Sequence, residues 1–167
     1  MANKYIKNSS GTLAEQEATV TSAGVGNAGQ IIALDATGKL DNSVLPTGIG
    51  ADTAIVAASE GLAAGDFVNI HNSSGAKVRK ADATTAGKEA HGFVLQSVIS
   101  GANATVYFEG TNTQVTGATG GLVFLSTTAG GFSSSAPTAS GNIVQKIGVA
   151  VSATAINFEG QQPIILA

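Results

Sequence analysis

Short runs of β-branched and aromatic residues, separated by clusters of glycine, serine, asparagine and threonine, make up most of residues 51–167. Several runs alternate apolar and polar residues, as in Ile156-Asn157-Phe158, which is the spacing of a strand with one buried face. Because turn signals recur between the runs and no long stretch has a helical period, we expect an all-β antiparallel barrel or sandwich. The predicted strands are Thr53–Ala57, Asp66–His71, Lys77–Ala81, His91–Ser97, Ala104–Glu109, Leu122–Ser126, Asn142–Val151, Ala153–Phe158 and Pro163–Leu166.

A similar series of residues occurs twice within this region. In each copy, one predicted strand follows a glycine, a later strand contains a glycine, and the copy ends on Phe-Glu-Gly. The corresponding segments are Gly65–Ile70 with Gly120–Leu125, His91–Leu95 with Ile147–Val151, and 108–110 with 158–160. The repeat predicts two similar units, at about 51–110 and 111–167, that pack face to face because neither buries its apolar face alone.

Residues 1–50 are predicted to form an extended N-terminal arm with one small strand-turn element. Their large apolar side chains are too few to make a core. Only Thr12 to Thr19 favours a short helix, since Thr12 and Glu15 have the spacing of a capping box.

The second half of this arm contains two apolar groups around a turn. Ile31 to Leu34 has the composition of a short strand, and Asp35 to Gly38 has that of a turn. The second apolar group and the predicted hinge after it are Leu40, Val44, Leu45 and Thr47–Gly50.

Small side chains dominate the composition, with 28 alanines and 22 glycines among 167 residues. Charged residues make up 11% and the net charge is −3, so the chain lacks the basic surface that attracts nucleic acids or anionic membranes. No apolar run reaches the ~20 residues of a membrane span. The absence of cysteine excludes disulfides and thiolate metal sites. The composition points away from enzymes but identifies no function.

Two motifs suggest ligand sites, and a simpler interpretation is favoured for each. Gly24 to Gly29 spells G-x-G-x-x-G, but a dinucleotide site needs a strand before it and a helix after it, and a strand-like run follows instead. Asp35 and Asp41 flank a glycine-bearing turn, and Ca²⁺ requires more oxygen ligands than they supply. We therefore expect a flexible segment at the glycines and turn aspartates that bind their own backbone.

The residues that most often carry acid–base chemistry also have simpler interpretations. Neither His71 nor His91 has a counterpart in the repeat, which favours surface or strand-edge histidines over a metal site or a nucleophile–base pair. Glu109 and Glu159 occupy equivalent positions, and duplication explains this match more simply than a glycosidase carboxylate pair does.

One cluster of basic residues stands out, formed by Lys77, Arg79 and Lys80. It is interpreted as a solvated strand edge that discourages aggregation, in preference to a docking site for an acidic protein. With this cluster explained, the sequence predicts no catalytic, cofactor-binding or metal-binding residue and no cofactor.

Two parts of the chain resemble virion proteins of tailed bacteriophages. Residues 31–46, IIALDATGKLDNSVLP, resemble a motif common near the N-termini of such proteins. Much of the rest looks like the β-rich module of phage head-decoration (cement) and head-fibre proteins. The segments that carry this likeness are Ala90–Leu95, Tyr107–Gly110, Leu125–Gly131 and Ala136–Gly141.

The resemblance implies a non-enzymatic structural protein on the capsid exterior, assembled in the bacterial host cytoplasm. Such a protein binds the major capsid protein, bridges capsomers and forms a homo-oligomer, often a homotrimer. We expect residues 1–50 to mediate docking and subunit exchange. The predicted protein-interaction residues are Leu34, Leu40, Val44 and Leu45.

Two alternatives stay open. The first is a trimeric tail-fibre or baseplate protein, although the chain is short and lacks an aromatic-rich receptor-binding tip. The second is a carbohydrate-binding β-module, which stacks sugars on exposed aromatic rings; the chain has no tryptophan and only two tyrosines, Tyr5 and Tyr107. Neither nucleic acid nor a membrane is an expected partner.

Overall fold

A computed structural model describes residues 3–45 and 51–167 of the chain. It divides the chain into two compact units, residues 1–50 and residues 51–167, hereafter the N-terminal unit and the β-domain. The hinge predicted at Thr47–Gly50 lies outside the described residues.

The described residues are all-β, as predicted. They form strands and two short 3₁₀ turns, Gly24–Asn27 and Asn42–Val44. The strands are β1 Lys4–Ser9, β2 Thr12–Glu17, β3 Thr53–Ala58, β4 Phe67–Asn72, β5 Ala76–Lys80, β6 Gly92–Phe93, β7 Asn103–Tyr107, β8 Gly110–Asn112, β9 Gly121–Leu125, β10 Phe132–Ser133, β11 Ile143–Val144, β12 Lys146–Ser152, β13 Ala155–Phe158 and β14 Ile164–Ile165.

The first half of the β-domain is a closed barrel with strand order β3-β5-β4-β6-β7. Its neighbouring strands pair antiparallel except β3 and β5, which pair parallel and close it. Inward-facing small and branched side chains fill the interior because alternate residues of each strand face the same side. This barrel core consists of Ala58, Leu62, Val68, Val78, Val94, Ala104 and Val106.

The second half is an open antiparallel sheet with strand order β10-β9-β12-β13-β8, and its inner face packs on the outside of the barrel. Phe67 and Phe93 of the barrel contact Phe158 of the sheet, with ring centroids 5.9 and 5.8 Å apart. Together with Leu125 and Ile147 these rings belong to the larger of the two apolar clusters, the intersheet core. The barrel and the sheet therefore bury each other.

Each of the nine strands predicted in residues 51–167 overlaps a strand of the structure, and two of the predicted runs differ most from what forms. The run His91–Ser97 is reduced to β6. The run Asn142–Val151 is broken at Gln145, whose side chain turns inward, accepts from Ala90 N at 2.7 Å and donates to Ala90 O at 2.9 Å. The backbone oxygen of Gln145 still accepts from Leu125 N at 2.9 Å, so the break adds a buried side-chain amide without losing this contact with β9. Strands β1, β8 and β10 had no prediction, and the residues of β2 were predicted as a helix.

The short helix predicted at Thr12 to Thr19 is wrong. These residues form β2, which pairs with β1 through a two-residue turn at Ser10 and Gly11. Both turn residues have positive φ, 52° and 90°, which matches the right-handed twist of a hairpin. The side chain of Asn8 accepts a hydrogen bond from Gly11 N at 2.9 Å, so cross-strand pairing outweighs the weak capping signal.

The N-terminal unit differs from the extended arm expected from composition. After β2 the chain returns, and Ile32 makes an isolated parallel bridge with Thr19 where a strand over Ile31 to Leu34 was predicted. The 3₁₀ turn at Gly24–Asn27 occupies the predicted flexible stretch. The side chain of Asn27 donates to Gln30 Oε1 at 3.0 Å. Polar contacts of this kind hold the unit together.

The two halves of the β-domain correspond in strand order and in register. If β5, β4, β6, β7 and β3 are matched with β10, β9, β12, β13 and β8, each barrel neighbour pair has a counterpart in the open sheet, except the closing pair β3–β5. Val68 pairs with Gly92 as Val123 pairs with Gly148. These correspondences support the repeat, while its origin in two copies of one unit stays a prediction.

Replacing Gly92 by alanine is expected to destabilise the β-domain by about 2 kcal/mol or more, because the added Cβ would overlap the carbonyl oxygen of Tyr107 and press on Val106 in a packed region. Thermal and denaturant unfolding would measure the loss. Gly61→Ala is the matched control, since a Cβ there meets no atom within 4 Å, and it should change stability by less than about 0.5 kcal/mol. Equal stability of the two variants would contradict the packing argument.

Candidate interaction surface

No side chain is fully buried among residues 3–45, the described part of the N-terminal unit. Its large apolar side chains are instead exposed to solvent at eight positions. These are Ile6, Leu13, Val20, Val25, Ile31, Ile32, Leu34 and Leu40. These exposed apolar side chains make the unit a candidate interaction surface.

The predicted interaction residues lie around two tight turns of this unit. Leu34 and Leu40 are 52% and 49% exposed, and they flank a loop that Asp35 N closes by donating to Lys39 O at 2.8 Å. Val44 and Leu45 are partly buried, at and after the second 3₁₀ turn. Leu34 and Leu40 are thus the more accessible pair for a partner.

Aspartates hold both turns, as predicted. The Asp35 carboxylate accepts from Thr37 N at 2.8 Å and from Lys39 N at 2.9 Å, and Asp41 accepts from Ser43 N at 2.9 Å. Hydrogen bonds to the charged form lower the pKa of both carboxyls, chiefly the Lys39 amide at Asp35 and the Ser43 hydroxyl at Asp41. Through these hydrogen bonds the two carboxylates position the backbone on either side of Leu40.

The hairpin β1–β2 adds two residues that sequence reasoning missed. Ile6 and Leu13 occupy the same face of the hairpin, opposite Glu15 and Asn8 respectively, and are 65% and 70% exposed. The Ser10-Gly11 dipeptide was the available signal, because serine–glycine pairs favour turns with positive φ. The exposed apolar surface of this unit therefore extends beyond the predicted leucines.

The two histidines have separate hydrogen-bonding partners. His71 Nε2 lies 3.0 Å from Ser59 Oγ, while His91 Nδ1 accepts from Ile70 N at 3.0 Å. Burial and the nearby Arg79 guanidinium lower the pKa of His71. Among the described residues no three histidine, aspartate or glutamate side chains come close enough to hold a metal ion.

The repeat-equivalent glutamates lie on the surface. Glu109 and Glu159 are exposed, and the Glu159 carboxylate lies 3.8 Å from Lys146 Nζ. The glycine motif at Gly24 to Gly29 contains a 3₁₀ turn, with no helix after it. The structure thus places these motifs in ordinary surface and turn environments.

The strand-edge interpretation of the basic cluster is wrong, because β5 lies between β3 and β4 in the closed barrel and has no free edge. Arg79 donates to Asn69 Oδ1 at 2.9 Å and to Gly87 O at 2.8 Å. Lys80 lies 3.5 Å from the Asp66 carboxylate. These two side chains therefore have structural partners on the outer surface of the barrel.

Comparison with known proteins finds no matching family, curated protein or solved structure. In the part of the chain that the structure describes, no helix has the length and hydropathy needed to cross a membrane.

Acid is expected to release the turn at Asp35. Because folding lowers the pKa of this carboxyl below its ordinary value of 3.8, its contribution is present above pH 3.8 and is lost as the pH falls through the lower folded value. The amide signals of Thr37 and Lys39 in a ¹⁵N spectrum should report this titration with a midpoint below 3.8. Asp35→Asn keeps an acceptor oxygen and should remove that transition; a midpoint at or above 3.8 in the native chain would contradict the assignment.

Proposed function

We propose that this protein is a non-enzymatic capsid decoration (cement) protein of a tailed bacteriophage, which binds the outer capsid surface and stabilises the head by bridging capsomers. The observation that carries the proposal is the N-terminal unit, whose apolar side chains are exposed rather than collected in a core. The resemblance of residues 31–46 to phage virion proteins supplies the identity of the partner, the major capsid protein.

The physical basis is burial of this apolar surface on the capsid. A leucine side chain that is moved from water into an interface contributes up to about 1.5–3 kcal/mol, so a few half-exposed residues give only modest affinity per copy. Oligomers multiply such contacts and gain avidity when several copies engage neighbouring capsomers. Low charge limits repulsion between closely spaced copies.

A tail-fibre or baseplate protein is the competing location for the same kind of module. The two differ in copy number on the particle, with hundreds of copies expected for decoration and a few dozen or fewer for a fibre. Quantitative mass spectrometry of purified virions separates them.

The double variant Leu34→Ser/Leu40→Ser is expected to weaken binding to undecorated capsids by about tenfold or more, because it removes apolar area from the interface. Co-sedimentation with a concentration series measures the apparent Kd. Leu122→Ser is a matched control, since Leu122 is 53% exposed in the β-domain, and it should bind as the native protein does. Unchanged binding of the double variant, with folding verified by circular dichroism, would refute the docking role.

The isolated protein is expected to be a stable oligomer, with a trimer favoured. Multi-angle light scattering should give about three times the chain mass of 16.4 kDa, since intersubunit contact supplements a chain rich in small side chains. A mass of one chain across the accessible concentration range would contradict this expectation.

A further inference from the structure

The outer wall of the barrel contains a concave cavity of about 360 Å³. One side is β7, whose outward residues Asn103, Thr105 and Tyr107 alternate with the inward Ala104 and Val106. The segment after β6 and the loop after β8 complete it. The lining residues are Leu95, Gln96, Val98, Asn103, Thr105, Tyr107 and Gln114.

Contacts outside the cavity hold two of its sides, the segment after β6 and the loop after β8. Val98 and Leu62 exchange two backbone hydrogen bonds, at 2.8 and 2.9 Å. The fully buried side chain of Asn112 accepts from Gln114 N at 3.1 Å and donates to Gly65 O at 2.8 Å. A site whose backbone is held in this way loses little conformational freedom when a ligand binds.

The floor of the cavity is apolar and rests on the cores. Leu95 and Tyr107 pack against the intersheet core and Val98 against the barrel core. The Tyr107 ring also stacks on Phe93, with ring centroids 5.4 Å apart and planes 17° from parallel. An aromatic ring held in one orientation offers a rigid apolar surface for the face of a ligand that presents C–H groups.

The rim is polar and uncharged. Gln96, Asn103, Thr105 and Gln114 are exposed and supply amide and hydroxyl groups, each able to donate and to accept. Aspartate, glutamate, histidine, lysine and arginine are absent from the lining. Phosphates, carboxylates and cations would therefore find no opposite charge, while a neutral ligand with many hydroxyl groups would find both kinds of partner.

We propose that this cavity binds a neutral saccharide unit, with the apolar floor under a sugar ring and the amides of Gln96 and Gln114 on its hydroxyl groups. The volume lies within the ordinary range of small-molecule sites. This activity is additional to capsid docking and uses different residues.

The test is a titration of the ¹⁵N-labelled full chain with methyl glycosides of glucose, galactose, mannose and N-acetylglucosamine. Saturable shifts of the amide signals of Gln96, Asn103, Thr105 and Gln114 are expected with at least one of these sugars. Glucuronic acid should bind more weakly than glucose, because the cavity offers no cation to its carboxylate. An acetylated alanine tripeptide should cause no saturable shift at these residues.

Single variants separate the site from nonspecific effects. Gln96→Ala and Gln114→Ala should each weaken binding about fivefold, the effect of one hydrogen bond of about 1 kcal/mol, and Thr105→Val tests the hydroxyl in a side chain of similar shape. Gln162→Ala is the control, since Gln162 is exposed and does not line the cavity. Thermal unfolding verifies that each variant is folded.

Three results would overturn the assignment: no saturable shift with any of the four glycosides, equal affinity of the Gln96→Ala/Gln114→Ala double variant and the native chain, or saturable binding of the tripeptide at these residues. Capsid binding by the same double variant should match that of the native protein. Failure of saccharide binding is thereby distinguishable from failure of the docking function.

Discussion

The β-domain depends on mutual burial of the barrel and the open sheet. Phe67 and Phe93 point away from the barrel interior, and the inner face of the sheet, with Leu125 and Phe158, covers them there. Because large side chains are few and glycine and alanine are abundant, each layer has little apolar surface beyond what the other layer covers. We infer that the two layers unfold together, because separating them would expose the largest apolar cluster in the described chain.

The two proposed activities use surfaces of different construction. The N-terminal unit presents exposed apolar side chains around short turns, which suits a partner with an extended protein surface. The cavity on β7 presents a fixed aromatic floor with a neutral polar rim, which suits a small hydroxylated ligand. The sparse tyrosines argued against saccharide binding at the level of composition, and the proposal depends instead on one ring in a rigid concave setting.

Local patterns predicted most of the β-domain. Alternation along a strand and the turn residues that follow it are encoded within a few positions, so each strand predicted in residues 51–167 was recovered at least in part, and Asp35 and Asp41 formed their expected turns. The hairpin β1–β2 was missed because neither of its faces is fully buried, which leaves no alternating apolar signal in Lys4–Ser9. Strands β8 and β10 are too short for a period to be detected.

By itself the sequence determined the all-β class, the positions of the main strands in residues 51–167 and the turns at Asp35 and Asp41. Tertiary structure decided which strands became neighbours: the parallel pairing of β3 with β5 closes the barrel and removes the free edge predicted for Lys77 to Lys80. It also assembled the cavity, whose lining comes from residues 95 to 114 on three separate segments. Pairing and cavity formation depend on contacts between distant residues, and a period of two residues along one strand contains no information about its neighbour.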